Sequence, residues 1–308
     1  MTGIVNPGAN LLDPTVLARI GSLELRAKVV VEGFIQGLHR APNLGASTDF
    51  AEHRPYMPGD DVRRVDWRLF ARTDRHYVKE FEADTNTNFM VLLDVSRSMS
   101  YGGKMRYACT LAACLAYFSS LQRDRVGLAT FANGIVEYVP PSAKHLRLVL
   151  HALDNAERAV PDTPSPEPAR YRQIFQRLTD SVRRRSMVAI ISDLYEEPDD
   201  VVGAVNTLRG RGNDLMVLHV LDTREKQFPF DHAGNFIDLE SGETMPVIPD
   251  YLRDEYQVLV RSHIDTLARR LGGHGVDYGQ FDTNQPMDRA LFKFLGARVK
   301  LDRARKVG

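Results

Sequence analysis

From residue 88 onward the chain carries a series of apolar runs, each the length of a strand and apolar at nearly every position. They are FMVLLD (89–94), VGLATF (126–131), MVAIIS (187–192), LMVLHVL (215–221) and the less apolar VDYGQF (276–281). A strand facing water on one side alternates apolar with polar residues, whereas these runs demand cover on both faces. Segments of helical periodicity stand between them, at about 104–122, 143–157, 170–184, 198–211 and 250–271. Strands alternating with helices in this way predict an α/β fold with a doubly wound, mostly parallel sheet of the Rossmann type. GIVEYVPP (134–141) predicts a short antiparallel edge strand that Pro140 and Pro141 end. Residues 223–249 break the alternation, and GNFIDLESGETMPV predicts a small hairpin around Ser241 and Gly242, inserted between a core strand and the next helix. Ahead of the sheet come helical pieces over 11–38, a Gly/Pro/Asp-punctuated segment, and the alternating stretch HYVKEFEAD. The expected organisation is an N-terminal helical and irregular segment, 1–87, packed on a core domain, 88–308.

In an open parallel sheet, ligands bind beyond the carboxyl ends of the strands. The first run ends as NFMVLLDVSRSMS (88–100), so Asp94 closes a strand and Ser96 and Ser98 follow it in the loop. One carboxylate and two hydroxyls are hard oxygen donors, which suit Mg²⁺ or a similar cation that keeps several waters and takes few protein ligands. MVAIISD brings a second carboxylate, Asp193, to the same rim. The competing reading is plain helix capping, since serine and aspartate after a strand commonly serve that purpose.

Other chemistries find less support. Lysine plus arginine and aspartate plus glutamate both number 40, so no overall field draws the chain to nucleic acid. Arginines 54, 63, 64, 68, 72 and 75 are interleaved with Tyr56, Trp67 and Phe70, but also with aspartates, which favours internal ion pairs over phosphate binding. No Gly-x-x-x-x-Gly-Lys-Ser/Thr loop occurs, and neither serine sits in a Gly-x-Ser-x-Gly elbow. A phosphatase that uses Asp94 needs a second aspartate as general acid where this chain has Ser96. The nine histidines are scattered, without zinc spacing. Cys109 and Cys114 stand five positions apart in one helical stretch, on different sides of it, and are expected as buried reduced thiols. The N-terminus lacks the layout of a signal peptide, and no apolar run approaches the ~20 residues of a membrane span. A cytoplasmic location is expected.

DVSRSMS (94–100) resembles the Asp-x-Ser-x-Ser signature of von Willebrand factor A-like domains, whose metal-ion-dependent adhesion site holds Mg²⁺ or Mn²⁺. The resemblance extends upstream through FAEHRPYMPGDDVRRVDWRLFARTDRHYVKEFE to the bacterial family called domain of unknown function 58. It implies that Asp94, Ser96 and Ser98 are first-loop metal ligands and that Asp193 is the third-loop acid. The second-loop threonine of such domains has no clear equivalent. Counting back from Asp193 puts Ala169 near its place, while Thr163 or Ser165 serves instead if the proline-rich loop folds inward. The function implied is divalent-cation-dependent protein binding, non-enzymatic, with a partner that offers a carboxylate and a MoxR-type AAA+ ATPase among the partners. A metal-dependent hydrolase using the same residues and a metal-free scaffold are the alternatives.

Overall fold

The computed structural model describes residues 22–40, 53–55, 77–79, 87–159, 171–182 and 184–307. Two compact units are present, one formed by residues 1–36 with 87–308 and the other by 37–86. Within the smaller unit, strands β1 (His53–Pro55) and β2 (Tyr77–Lys79) pair antiparallel, so HYVKEFEAD does supply a strand. Trp67 and its neighbouring arginines lie outside the described residues, as do Thr163, Ser165 and Ala169.

The larger unit contains helix α1 (Leu23–Arg40) as far as residue 36, strand β3 (Asn88–Asp94), helix α2 (Lys104–Leu121) and strands β4 (Arg125–Phe131) and β5 (Ile135–Ser142). Helices α3 (Leu146–Arg158) and α4 (Tyr171–Ser181), strand β6 (Met187–Ser192), helix α5 (Pro198–Arg209) and strand β7 (Asp214–Leu221) follow. The remainder is α6 (Thr223–Gln227), the hairpin β8 (Gly234–Ile237) and β9 (Thr244–Val247), α7 (Pro249–Gly273), β10 (Asp277–Asp282) and α8 (Met287–Val307).

Six strands form one sheet in the order β10-β7-β6-β3-β4-β5, parallel except for β5. The fold is thus the expected doubly wound α/β. Burial explains why the runs are apolar throughout, because successive side chains enter different cores. On β3, Phe89, Val91 and Leu93 join one cluster with residues of α1, α2, α3 and α8. Met90 and Leu92 join the other, with residues of α4, α5 and α7. Helix α2 is buried almost all round, and its Ala112, Ala113 and Ala116 allow close approach on several sides. Cys109 and Cys114 are buried free thiols within it, as expected.

One expectation is corrected, and one helix has no counterpart in the sequence reading. Pro140 and Pro141 lie inside β5, which continues to Ser142. An edge strand tolerates missing N–H donors, and the register shifts between Val126 and Leu128, where a Cβ on Gly127 would stand 2.8 Å from the Pro141 nitrogen. Helix α8 carries no helical expectation from the sequence, because its apolar residues Met287, Ala290, Leu291 and Phe294 make only a short buried stripe before a basic tail. The hairpin appears where expected.

Leu92 is fully buried at the middle of the central strand. Leu92→Ala is expected to lower stability by about 2–5 kcal/mol, the range for a large-to-small change in a close-packed core, measured by chemical denaturation with an unchanged slope.

Candidate functional site

The chain enters the sheet at β3, winds outward through β4 to β5, then returns to β6 on the other side of β3 and winds outward again. Successive connections therefore leave β3 and β6 for opposite faces, and a crevice opens between their carboxyl ends. The register pairs Leu93 with Ile191, which brings Asp94 and Ser192 together just beyond.

Asp94 is 1% exposed and its carboxylate is tied down at both oxygens. Oδ1 accepts from the Ser96 N–H at 2.9 Å, and Oδ2 accepts from the Ser192 hydroxyl at 2.7 Å. The Ser96 and Ser98 hydroxyl oxygens stand 3.1 Å apart. Their loop enters a 3-10 turn over Arg97–Gly103 that kinks at Gly102, whose φ of +61° suits glycine. A Cβ on Gly102 would also lie 2.5 Å from the Asp222 side chain, so this close approach of the β3 and β7 loops requires glycine. The sequence reading thus placed Asp94, Ser96 and Ser98 together, and the structure brings them into one hydrogen-bonded group. Thr163 is outside the described residues.

Asp193 reaches the same rim but faces a cation of the chain itself. The Lys104 ammonium, 0% exposed, donates to Asp193 Oδ2 at 2.7 Å and to Glu225 Oε1 at 2.5 Å. Burial alone would push the lysine pKa down, yet the charges and hydrogen bonds of Asp193 and Glu225 outweigh it and hold the group above its ordinary value. The Tyr195 ring lies 4.8 Å from the ammonium. One side chain at the start of α2 therefore fastens the loops after β6 and β7.

Two histidines hold the backbone of the β6 loop. His219 Nε2 meets the Asp193 carbonyl at 2.7 Å, and His263 Nε2 meets the Leu194 carbonyl at 2.8 Å. A carbonyl only accepts, so Nε2 of His219 carries the proton and its Nδ1 accepts from the Tyr278 hydroxyl at 2.7 Å. Complete burial keeps this ring neutral by lowering its pKa to about 3. Leu194 is left at φ +50°, a left-handed conformation that this clamp sustains.

Negative charge is concentrated around the group. Glu196 has its pKa pushed up to about 9, first by burial and then by the charge of Asp94, with Asp193 and Glu240 adding to it. Its Oε2 is buried without a hydrogen-bond partner. From the inserted hairpin, Glu240 Oε1 accepts from the Ser98 N–H at 2.6 Å. Among the described residues no three Asp, Glu, His or Cys side chains form a cage for a metal. An ion at this rim would rest on hydroxyls and few carboxylates.

A family model described as a protein of unknown function, DUF58, matches residues 52–266. The chain belongs to the DUF58 family. This DUF58 chain is also 28% identical over 298 residues to the uncharacterized protein Rv1480 of Mycobacterium tuberculosis, across 93% of this chain and 90% of that protein. Among solved structures, the conserved hypothetical protein BatB from Bacteroides thetaiotaomicron is similar over 70% of this chain and 99% of its own, at 18% identity and a TM-score of 0.45. A von Willebrand factor type A structure from Catenulispora acidiphila is similar over 68% of this chain and 42% of its own, at 13% identity and a TM-score of 0.36. The doubly wound architecture of this DUF58 protein stands on its own strand order.

Lys104, Ser192, Glu196, Glu225 and Glu240 were not singled out from the sequence. Lys104 did carry a signal: a lysine at the first position of a helix opposes the helix dipole and calls for a dedicated acidic partner. The other four are polar or charged residues; Ser192, Glu225 and Glu240 meet Asp94, Lys104 and Ser98 from far along the chain, and Glu196 meets the charge of Asp94. Lys104→Met is expected to leave the buried Asp193 and the half-buried Glu225 unneutralised, at a cost of about 3–5 kcal/mol. Thermal or chemical denaturation at neutral pH measures it, and a second change, Glu225→Gln, in the same chain should recover part of the loss.

Proposed function

We propose that this DUF58 chain is a protein-binding module whose grip depends on a divalent cation held by Asp94, Ser96 and Ser98. The observation that carries the reading is the convergence of Asp94 and these two hydroxyls at the switch point of the sheet. Two neighbouring ligands of an octahedral ion with bonds of about 2.1 Å are about 3.0 Å apart, and the two hydroxyl oxygens stand 3.1 Å apart. The donor set is hard oxygen only, which fits Mg²⁺ or Mn²⁺ rather than zinc. The unpartnered oxygen of Glu196 and the charge that burdens it supply a second reason for a cation at this rim.

When bound, the cation supplies an electrophilic centre able to accept a carboxylate from another protein. The chain's own residues do the rest. Ser192 and the Ser96 N–H orient Asp94, and the Lys104 pair and the two histidines keep the β6 loop in place beside it. Asp193 contributes through its pairing with Lys104, which fastens the β6 loop near the site. Thr163 stays the proposed second-loop donor. A partner presenting an exposed aspartate or glutamate fits this chemistry, and a MoxR-type AAA+ ATPase is the partner system to test first. The role is binding, without catalysis. No helix among the described residues is long and apolar enough to cross a membrane, and the two free thiols suit a reducing compartment such as the cytoplasm.

Isothermal titration of the whole chain with Mn²⁺ tests the reading. Wild type is expected to bind, and saturating it a hundredfold above Kd should raise stability by about 2.7 kcal/mol. Asp94→Ala should abolish both effects. Equal melting shifts in the two proteins would refute the site.

A further inference from the structure

The β8–β9 hairpin sends one side chain into the site just described. Glu240 lies 142 positions beyond Ser98, yet its carboxylate accepts the Ser98 N–H at 2.6 Å, beside the paired serine hydroxyls. A carboxylate is also the group that a partner would bring. We propose, resting on the cation-binding reading above, that Glu240 is a tethered carboxylate filling the partner's place, and that the hairpin must move aside before a partner binds.

The presentation of Glu240 is built into the turn. The Asp238 carboxylate accepts from the Glu240 N–H at 2.8 Å, the Asp238 carbonyl accepts from the Gly242 N–H at 2.8 Å, and the Asp238 N–H donates to the Glu243 carbonyl at 2.8 Å. Gly242 at φ +76° permits the reversal. The turn thus holds the side chain on a rigid tip rather than a loose arm.

The hairpin as a whole is lightly held. It is a two-stranded sheet separate from the main one, and such a pair is marginal without further packing. Its anchor is aromatic: Phe236 stacks on Phe228 at 5.4 Å and meets Phe230 at 5.0 Å, and Phe228 packs on Tyr256 at 4.7 Å. Away from this root, Ile237 and Met245 are 62% and 63% exposed. A unit with few buried contacts opens at low cost, and the aromatic root provides a pivot. Charge sets the direction of the switch. Glu240 adds to the negative field that Glu196 already meets from Asp94 and Asp193, so a cation at the rim favours closure and a competing carboxylate favours opening.

The test loads the whole chain with Mn²⁺, confirmed by electron paramagnetic resonance, and titrates acetate while following water proton relaxation. Glu240→Gln keeps an acceptor for the Ser98 N–H but loses the charge. If the closed form is about 90% populated, the variant should bind acetate about tenfold tighter than wild type. Glu243→Gln, on the same turn but facing solvent, should match wild type. Hydrogen exchange of wild-type amides over 234–247 should quicken when acetate is added to the loaded protein. Mn²⁺ uptake with equal acetate affinity in wild type and Glu240→Gln overturns this proposal alone. A wild type that takes up no Mn²⁺ overturns it together with the cation-binding reading.

Discussion

A single buried ammonium organises the functional rim of this protein. Lys104 has no exposure to water, and removing a charge from water costs several kcal/mol unless close partners replace the solvent. Asp193 and Glu225 are those partners, and they come from loops after two different strands. Any movement of the β6 or β7 loop away from α2 would strand a charge in the interior. The rim is therefore rigid where Lys104 reaches it, and the rest of the site is assembled on that rigid base.

That base separates two kinds of acid. Asp193 is neutralised within the chain by Lys104, whereas Asp94 accepts from the Ser192 hydroxyl and the Ser96 N–H, both neutral donors. Hydrogen bonds from neutral groups orient a carboxylate without cancelling its charge. Burial first, and then the charge of Asp94, raise the pKa of Glu196 to about 9. The histidine clamp fixes the β6 loop without adding positive charge, because His219 is neutral.

The architecture was largely legible because burial on both faces leaves a direct mark on sequence. Strands such as 187–192 had to be apolar at nearly every position, and the helices between them had to repeat at 3.6. Elements held mainly at their ends left fainter marks. Helix α8 buries a short stripe and then becomes basic, and β5 contains two prolines that only an edge position tolerates. The first loop was legible for a different reason. Asp94, Ser96 and Ser98 are neighbours in the chain, so their spacing is itself the geometry.

Lys104, Glu196, Glu225 and Glu240 had no such advantage. Each is a charged residue of a kind that usually faces water, and nothing local distinguishes the Glu240 that caps Ser98 from the Glu243 three residues on that faces solvent. The sequence by itself determined a doubly wound sheet, a strand ending on a carboxylate followed by two hydroxyls, and a hairpin after the fourth apolar run. Tertiary structure alone decided which acids face one another, which of them Lys104 neutralises, and that the hairpin tip reaches the first loop. The physical reason is range: periodicity and turn chemistry act over a few residues, whereas the pairing of buried charges depends on where the whole chain places them.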